Sequence, residues 1–332
     1  MRKEKMKWLS LMIFFMFMIT FNLLSGEAKA EFPDKPITLL VGFAAGGTMD
    51  LSARALASAT EKILGQPVII ENKTGGTGAV ALASMLAQEP NGYTLCGTPT
   101  SVLIRVSQMQ KVPFKPLKSF KPIIGFTTPQ LGIVVKSDAP WKTLKELVED
   151  AKKNPNKIKY ATTGVGSTTH AAMEEIGAKE GIKWIHIPYK GSIEAITALL
   201  GGHIDVASVT SEFIPSVQAG QTRLLATMGE KRAPRFSNVP TMKEAGYDFV
   251  NDAIYSIVGP ANLAPDIAKK LELAFTKATE NKEYKDALDK IDLIPVNYDS
   301  KRLEEFLKTN WYIINKHLIQ TGLIKEAATP LE

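Results

Sequence analysis

Hydrophobic positions along the chain form short continuous runs that alternate with stretches of helical spacing. Ile37 to Phe43 is a brief apolar run that breaks at Ala44-Ala45-Gly46-Gly47-Thr48. Beyond it Leu51, Ala55, Leu56, Ala59 and Ile63 recur at the spacing of one helix face. Val68-Ile69-Ile70 leads into a second glycine-bearing turn, residues 71–78, then into an alanine-rich helix ending near Gln88, and Tyr93 to Gly97 reads as the next strand. A Pro- and Lys-rich stretch from Val112 to Pro122 precedes an extended apolar segment, Gly132 to Val135, and there the pattern restarts. Helices are predicted over 144–153, 168–180 and 192–200, and strands over 157–161, 184–188, 204–208 and 223–227, with a glycine loop at Thr163-Gly164-Val165-Gly166-Ser167. A last extended segment, Ala253 to Val258, is followed by Lys- and Glu-rich helices.

Alternating strands and helices predict an α/β fold with mostly parallel sheets and helices on both faces. Two long extended segments flank the middle portion, so the chain is expected to cross from one lobe to a second and back. That assigns residues 31–130 and 251–332 to lobe 1 and residues 131–250 to lobe 2, with the two crossover segments as a hinge beside a ligand-sized crevice.

The first thirty residues stand outside this pattern. A basic start (Arg2, Lys3, Lys5, Lys7), an apolar run from Trp8 to Leu24 and the small-residue ending Ala28-Lys29-Ala30 read as a cleaved secretory signal, residues 1–30. The run approaches the length of a membrane anchor, but the cleavage site followed by Glu31-Phe32-Pro33 favours removal and export. Without that segment the formal charge falls from +6 to a balance of 35 Lys and Arg against 32 Asp and Glu, with no basic block of the kind nucleic-acid binding needs. The only cysteine, Cys96, leaves no disulfide and no lipid anchor at the new N-terminus, and is expected to be a small apolar residue within a strand. About 300 remaining residues bury enough apolar surface to fold without such staples.

Candidate chemistry concentrates in three loops where a strand ends in a glycine-rich turn that opens into a helix: Ala44 to Thr48, Lys73 to Gly78 and Thr163 to Thr168. Unpaired backbone N–H groups and the positive end of the helix dipole make such a turn suited to anions. Any one of them alone reads more simply as an ordinary helix cap, and the pairing of loops across two lobes is what favours a ligand. The first and third fall in different lobes, and in α/β sheets the crevice lies beyond the carboxyl ends of the strands, where such loops emerge. Thr48, Ser167 and Thr168 add hydroxyl donors. Asp50 and Arg54 stand four apart and form either a surface ion pair or, through Asp50, a brace for the first loop. Tyr189 and Tyr255 are either cleft-lining or packing residues, and Asp205 reads as turn chemistry.

Enzyme readings are weaker. Gly76-Thr77-Gly78-Ala79-Val80-Ala81 fits a dinucleotide fingerprint, but the acidic residue expected some twenty positions on is missing where the chain reads Leu95-Cys96-Gly97-Thr98-Pro99. Ser167 and His170 are near neighbours without a nucleophile elbow, so a capping serine and a first-turn histidine is the better reading. His186, His203 and His317 are scattered without ligand spacing, so no metal and no cofactor is expected.

Taken in order along nearly the whole chain, several segments resemble the substrate-binding proteins of tripartite tricarboxylate transporters, the Bug family. They are Phe32-Pro33-Asp34-Lys35-Pro36-Ile37, Phe43-Ala44-Ala45-Gly46-Gly47-Thr48-Met49-Asp50, Val68-Ile69-Ile70-Glu71-Asn72-Lys73 and Pro90-Asn91-Gly92-Tyr93-Thr94-Leu95. Further on come Gly164-Val165-Gly166-Ser167-Thr168-Thr169-His170, Ile187-Pro188-Tyr189-Lys190-Gly191, Val239-Pro240-Thr241, Glu244-Ala245-Gly246-Tyr247 and Tyr255-Ser256-Ile257-Val258-Gly259-Pro260. The resemblance implies a periplasmic-binding-protein fold of the Venus flytrap type, type II, whose lobes close on a small carboxylate held by backbone amides, hydroxyls and water, with no catalytic step. Carried onto this chain it points to Phe43, Ala44, Gly47 and Thr48 in lobe 1 and to Gly166, Ser167 and Thr168 in lobe 2, with Thr98, Ser211 and Tyr255 as specificity-setting cleft walls. Gly42 and Ala45 depart from the family pattern, where prolines are common. The implied protein is a periplasmic monomer that delivers a di- or tricarboxylate or an aromatic acid to membrane permease subunits. The alternative is a ligand-sensing accessory protein for a membrane signalling receptor.

Overall fold

The computed structural model describes Trp8, residues 31–115 and residues 117–326, so the predicted signal segment lies, Trp8 apart, outside the described residues. From the first apolar run the chain builds β1 (Ile37–Val41), α1 (Thr48–Leu64), β2 (Val68–Asn72), α2 (Ala79–Leu86) and β3 (Thr94–Pro99). A helical segment over 102–109 leads to β4 (Phe120–Pro129). After Gln130 come β5 (Leu131–Lys136), α3 (Leu144–Lys153), β6 (Lys159–Thr162), α4 (Thr168–Glu180), β7 (Ile185–Pro188), α5 (Ser192–Leu200), β8 (Val206–Thr210), α6 (Ile214–Gln218) and β9 (Thr222–Thr227). The chain then returns through β10 (Tyr255–Pro260), α7 (Pro265–Thr279), α8 (Lys282–Lys290), β11 (Leu293–Tyr298) and α9 (Ser300–Gln320).

These strands form two sheets, one of six in the order β11-β4-β10-β3-β1-β2 and one of five in the order β7-β6-β8-β5-β9. Residues 131–227 supply every strand of the second sheet, and the first takes its strands from both sides of that stretch. Burial follows from coverage on both faces: Ile37, Leu39, Leu40 and Val41 of β1 are all buried, the near-continuous apolar run of a sheet with helices above and below. Helix α1 turns Met49, Ala53, Leu56, Ala57 and Thr60 inward and stops at Gly65, whose left-handed φ of 71° lets its N–H reach the Glu61 carbonyl.

Both sheets are mixed, where mostly parallel ones were expected. β1 pairs in parallel with β2 and β3, and β6 with β7 and β8, but β10 is antiparallel to β3 and β4, and β5 is antiparallel to β8 and β9. The cause is the crossover. Strands of the βα units end at the crevice, whereas a strand arriving from the opposite sheet begins there and must run away from it. β5 and β10 are those arriving strands.

Two strands escaped the sequence reading. β4 carries Pro122, Gly125 and Pro129, which interrupt its apolar pattern, and its ladder to β10 slips at two places to accommodate them. β11 contains Pro295 and sits at a sheet edge, where a missing N–H is tolerated. Cys96 is buried in β3 as a small apolar residue, and burial pushes its thiol up.

Candidate functional site

Three helix starts from the two sheets line one half-open cavity of about 680 Å³, part of it continuous with the outside. They are Gly47-Thr48 of α1, Ser167-Thr168-Thr169 of α4 and Gly191-Ser192 of α5. Each presents backbone N–H groups that no earlier turn can accept, with the positive end of a helix dipole behind them. The third was not among the predicted site residues, although its Gly191-Ser192 step repeats the pattern of the other two.

The first loop is held by a charged brace. Asp50 accepts from the Gly46 N–H at 2.9 Å and from Asn72 Nδ2 at 2.9 Å, and pairs with Arg54. Burial pushes the Asp50 carboxyl up, but the hydrogen bonds from Arg54, Gly46 and Asn72 together outweigh it and hold the group below the usual carboxylate range. Asn72 also donates to the Phe43 carbonyl at 3.1 Å, which ties the loop to the end of β2. Gly42 is needed there by close approach, since a Cβ on it would lie 2.6 Å from the Gly78 Cα.

Neutral groups hold the second of these loops, the one over 163–168 that opens α4. Ser167 Oγ donates to the Gly164 carbonyl at 2.7 Å and accepts from the His170 N–H at 3.2 Å, an N-cap bond. Thr169 Oγ1 accepts from the Thr163 N–H at 3.1 Å and lies 2.9 Å from Ser167 Oγ. His170 Nδ1 accepts from the Gly166 N–H at 3.3 Å, so the ring is committed to a cap and is not aimed at Ser167 as a base. Burial, with the nearby His186 and Arg105 adding to it, lowers the His170 pKa to about 3. Burial likewise lowers that of His186, which stacks on it with ring centroids 4.2 Å apart, to about 4.

Across the cavity the two sheets touch through Glu212, which the sequence did not single out, and through Thr77, while Tyr255 meets Thr48 from its own sheet. Glu212 Oε1 accepts the Thr48 N–H at 2.8 Å, and its other oxygen takes the Thr210 hydroxyl. Tyr255 Oη lies 2.8 Å from Thr48 Oγ1, and burial, aided by the Glu212 charge, pushes its phenol up. Thr77 Oγ1 donates to the Val165 carbonyl at 3.0 Å, joined there by Gln110 Nε2 at 2.8 Å. Behind Thr168, the buried Arg105 pairs with Asp252 at 2.7 Å, and Thr168 Oγ1 donates to the same carboxylate at 3.2 Å.

Of the predicted site residues, Phe43, Ala44, Gly47, Thr48, Ser167, Thr168 and Tyr255 line the cavity. Four lie behind its wall. Asp50 braces the first loop, and Gly166 packs toward Val106 with its N–H on His170. Ser211 Oγ accepts the Gln130 N–H at 3.2 Å in the crossover, and Thr98 is enclosed within β3. Thr98 and Ser211 are each one position away from residues that do line it, Pro99 in one case and Thr210 and Glu212 in the other. At Thr98 the alternation of side chains along the strand accounts for the slip, whereas Ser211 opens a 3-10 turn over Ser211–Phe213 and turns back to the crossover. Tyr189 lines a separate neighbouring depression beside Lys190, and Asp205 accepts the Lys159 N–H at 2.7 Å, a bond that ties a turn. Among the described residues no group of three or more His, Cys, Asp or Glu is placed to hold a metal ion, and no helix is long and apolar enough to cross a membrane.

A two-lobed α/β molecule with helix starts from both lobes around one cavity is the architecture of a periplasmic solute-binding protein. The profile of the Tripartite tricarboxylate transporter family receptor matches residues 52–322, and the chain belongs to that family. It is 41% identical over 281 residues to the UPF0065 protein in the gbd 5'region of Cupriavidus necator, covering 84% of this chain and 86% of that one. Protein BugT of Bordetella pertussis (strain Tohama I) is 30% identical, covering 84% and 87%. The solved structure of periplasmic binding protein BugD superposes with a TM-score of 0.82 at 26% identity, covering 88% of this chain and 99% of that one. The Bug-family resemblance and the type II binding fold read from the sequence are thereby borne out.

Proposed function

We propose that this chain is an extracytoplasmic solute-binding protein that captures a small carboxylate and presents it, chemically unchanged, to the permease of a tripartite tricarboxylate-type secondary transporter. The observation that carries the reading is the convergence of three helix starts, from both lobes, on one cavity. Lobe 1 comprises residues 31–130 and 251–332, and lobe 2 residues 131–250. The ligand is enclosed by Phe43, Ala44, Gly47 and Thr48 from one side, Ser167 and Thr168 from the other, and Tyr255 at the base. Asp50, Gly166, Thr98 and Ser211 hold those residues in place from behind. The chain is exported after removal of residues 1–30 and works as a monomer. Closure is driven by contacts that exist only when both lobes touch the ligand.

The test is a thermal-shift screen of residues 31–332 against mono-, di- and tricarboxylates and aromatic acids. A carboxylate at a hundred times its Kd should add about 2.7 kcal/mol of stability, and chromatography should recover it unaltered. Stabilisation by sugars or simple amines with none by any acid would overturn the proposal.

A further inference from the structure

The charge of the cavity wall narrows the ligand class. Among the described residues its charged side chains are Glu194 and Glu212, and no Lys, Arg or His lines it. The nearest buried cation, Arg105, sits behind Thr168 and is paired with Asp252. A ligand carboxylate in this cavity therefore meets backbone N–H groups and hydroxyls for attraction, and fixed carboxylates for repulsion.

Glu212 is the side chain that decides the outcome. It is half-buried, comes from lobe 2, and reaches across to the start of α1, where it takes the Thr48 N–H at 2.8 Å. One of the anion positions offered by the helix starts is thus occupied by the protein's own carboxylate. The starts of α4 and α5 stay open to a ligand carboxylate. A carboxylate has about four acceptor positions, of which Glu212 uses one for Thr48 and one for Thr210. It keeps capacity for a donor on the ligand. Beside half-buried groups the charges act at an effective dielectric below that of water, so a second ligand carboxylate beside Glu212 is penalised and a cation is favoured.

We infer that Glu212 makes the cavity selective for a small acid that carries one carboxylate together with an ammonium or other cationic group, and selects against di- and tricarboxylates. The ligand carboxylate sits at the second-lobe helix starts and the cationic end points to Glu212. Glu194, exposed at the mouth with its Oε2 accepting the Lys190 N–H at 3.2 Å, contributes less. This inference rests on the carboxylate-binding reading above and chooses within it.

The experiment is calorimetric titration of residues 31–332 with matched pairs in which one end differs: 4-aminobutanoate against succinate, and 5-aminopentanoate against glutarate, with citrate as the tricarboxylate. In the wild-type protein the amino acid of a pair should bind at least about tenfold tighter than its diacid. Glu212→Gln should shrink that ratio to within about threefold. Tighter binding of a diacid or of citrate by the wild type overturns the inference and leaves the carboxylate reading standing. So does binding of uncharged-tail acids such as benzoate alone, and so does an unchanged ratio in folded Glu212→Gln. Absence of binding by every carboxylate overturns both. The wild-type ratio decides the matter even if Glu212→Gln fails to fold.

Discussion

The loops that open α1 and α4 follow one backbone plan, yet opposite chemistry holds them. In the first, a carboxylate from within the helix, Asp50, reaches back to the Gly46 N–H and is itself clamped by Asn72 and Arg54. Gly47 caps α1 with no side-chain bond, so the Thr48 N–H is left for a partner outside the loop, and Glu212 of the other lobe takes it. In the second, Ser167 caps its own helix and the loop is closed by hydroxyls and a neutral imidazole. A charged brace behind the loop leaves its mouth free for contacts across the cleft, whereas a neutral internal cap stiffens the loop by using its own groups. The two should therefore fail under different conditions.

Acid separates them most widely. His170 and His186 have folded-state pKa values of about 3 and about 4 against an ordinary 6.5. The unfolded chain therefore binds more protons between those values and 6.5, and stability falls as pH drops through that window. At pH 5 each ring should cost about 2 kcal/mol relative to pH 7. The Asp50 carboxyl is shifted the other way. Its contribution is present above the ordinary 3.8 and is lost only below that, as pH falls through its depressed folded value. Urea unfolding at pH 7 and pH 5 should show the loss, and His170→Asn, which keeps an acceptor for Gly166, should reduce it by about 2 kcal/mol. An unchanged pH 5 deficit in that variant would mean the second loop is not the acid-sensitive element.

At neutral pH the order reverses. Asp50→Ala strips partners from the Gly46 N–H and Asn72 and should cost about 2 kcal/mol, with the half-exposed Arg54 pairing adding little. Ser167→Ala removes one N-cap and should cost about 1 kcal/mol, because Thr169 still holds Thr163. Equal losses in denaturant titrations would erase the distinction between a charged brace and a distributed neutral one.

Much of the architecture was readable because it rests on local signals. The α3, α4 and α5 boundaries were predicted to the residue, and all three carry the cap or apolar spacing that marks a helix in sequence. Local signals failed where the cause was distant. β10 and β5 run antiparallel because of the crossover, a property of the whole chain. Glu212 and Asn72 matter because they meet Thr48 and Asp50, 164 and 22 positions away. Thr98 and Ser211 were named in place of their neighbours because the end of a strand is marked in the sequence more firmly than the side to which each residue there turns. Cleft loops could be read as loops, but the groups that satisfy them could not.

The weakest predicted effect probes where the two halves of the comparison touch. Val165, in the second loop, offers its carbonyl to Thr77 and to Gln110 from lobe 1. Thr77→Val deletes one donor without changing side-chain shape at a residue whose φ is 52°, so any backbone strain there is carried over. Gln110 still serves the carbonyl, which limits the loss to about 0.5 to 1 kcal/mol. That loss falls on closure alone if the contact joins lobes that otherwise fold unaided. Small-angle scattering of the ligand-free variant should then show a larger radius of gyration than wild type, with urea unfolding unchanged. A drop in unfolding free energy with no change in scattering would place the contact in the folding of the second loop, and would make that loop dependent on lobe 1 rather than self-contained.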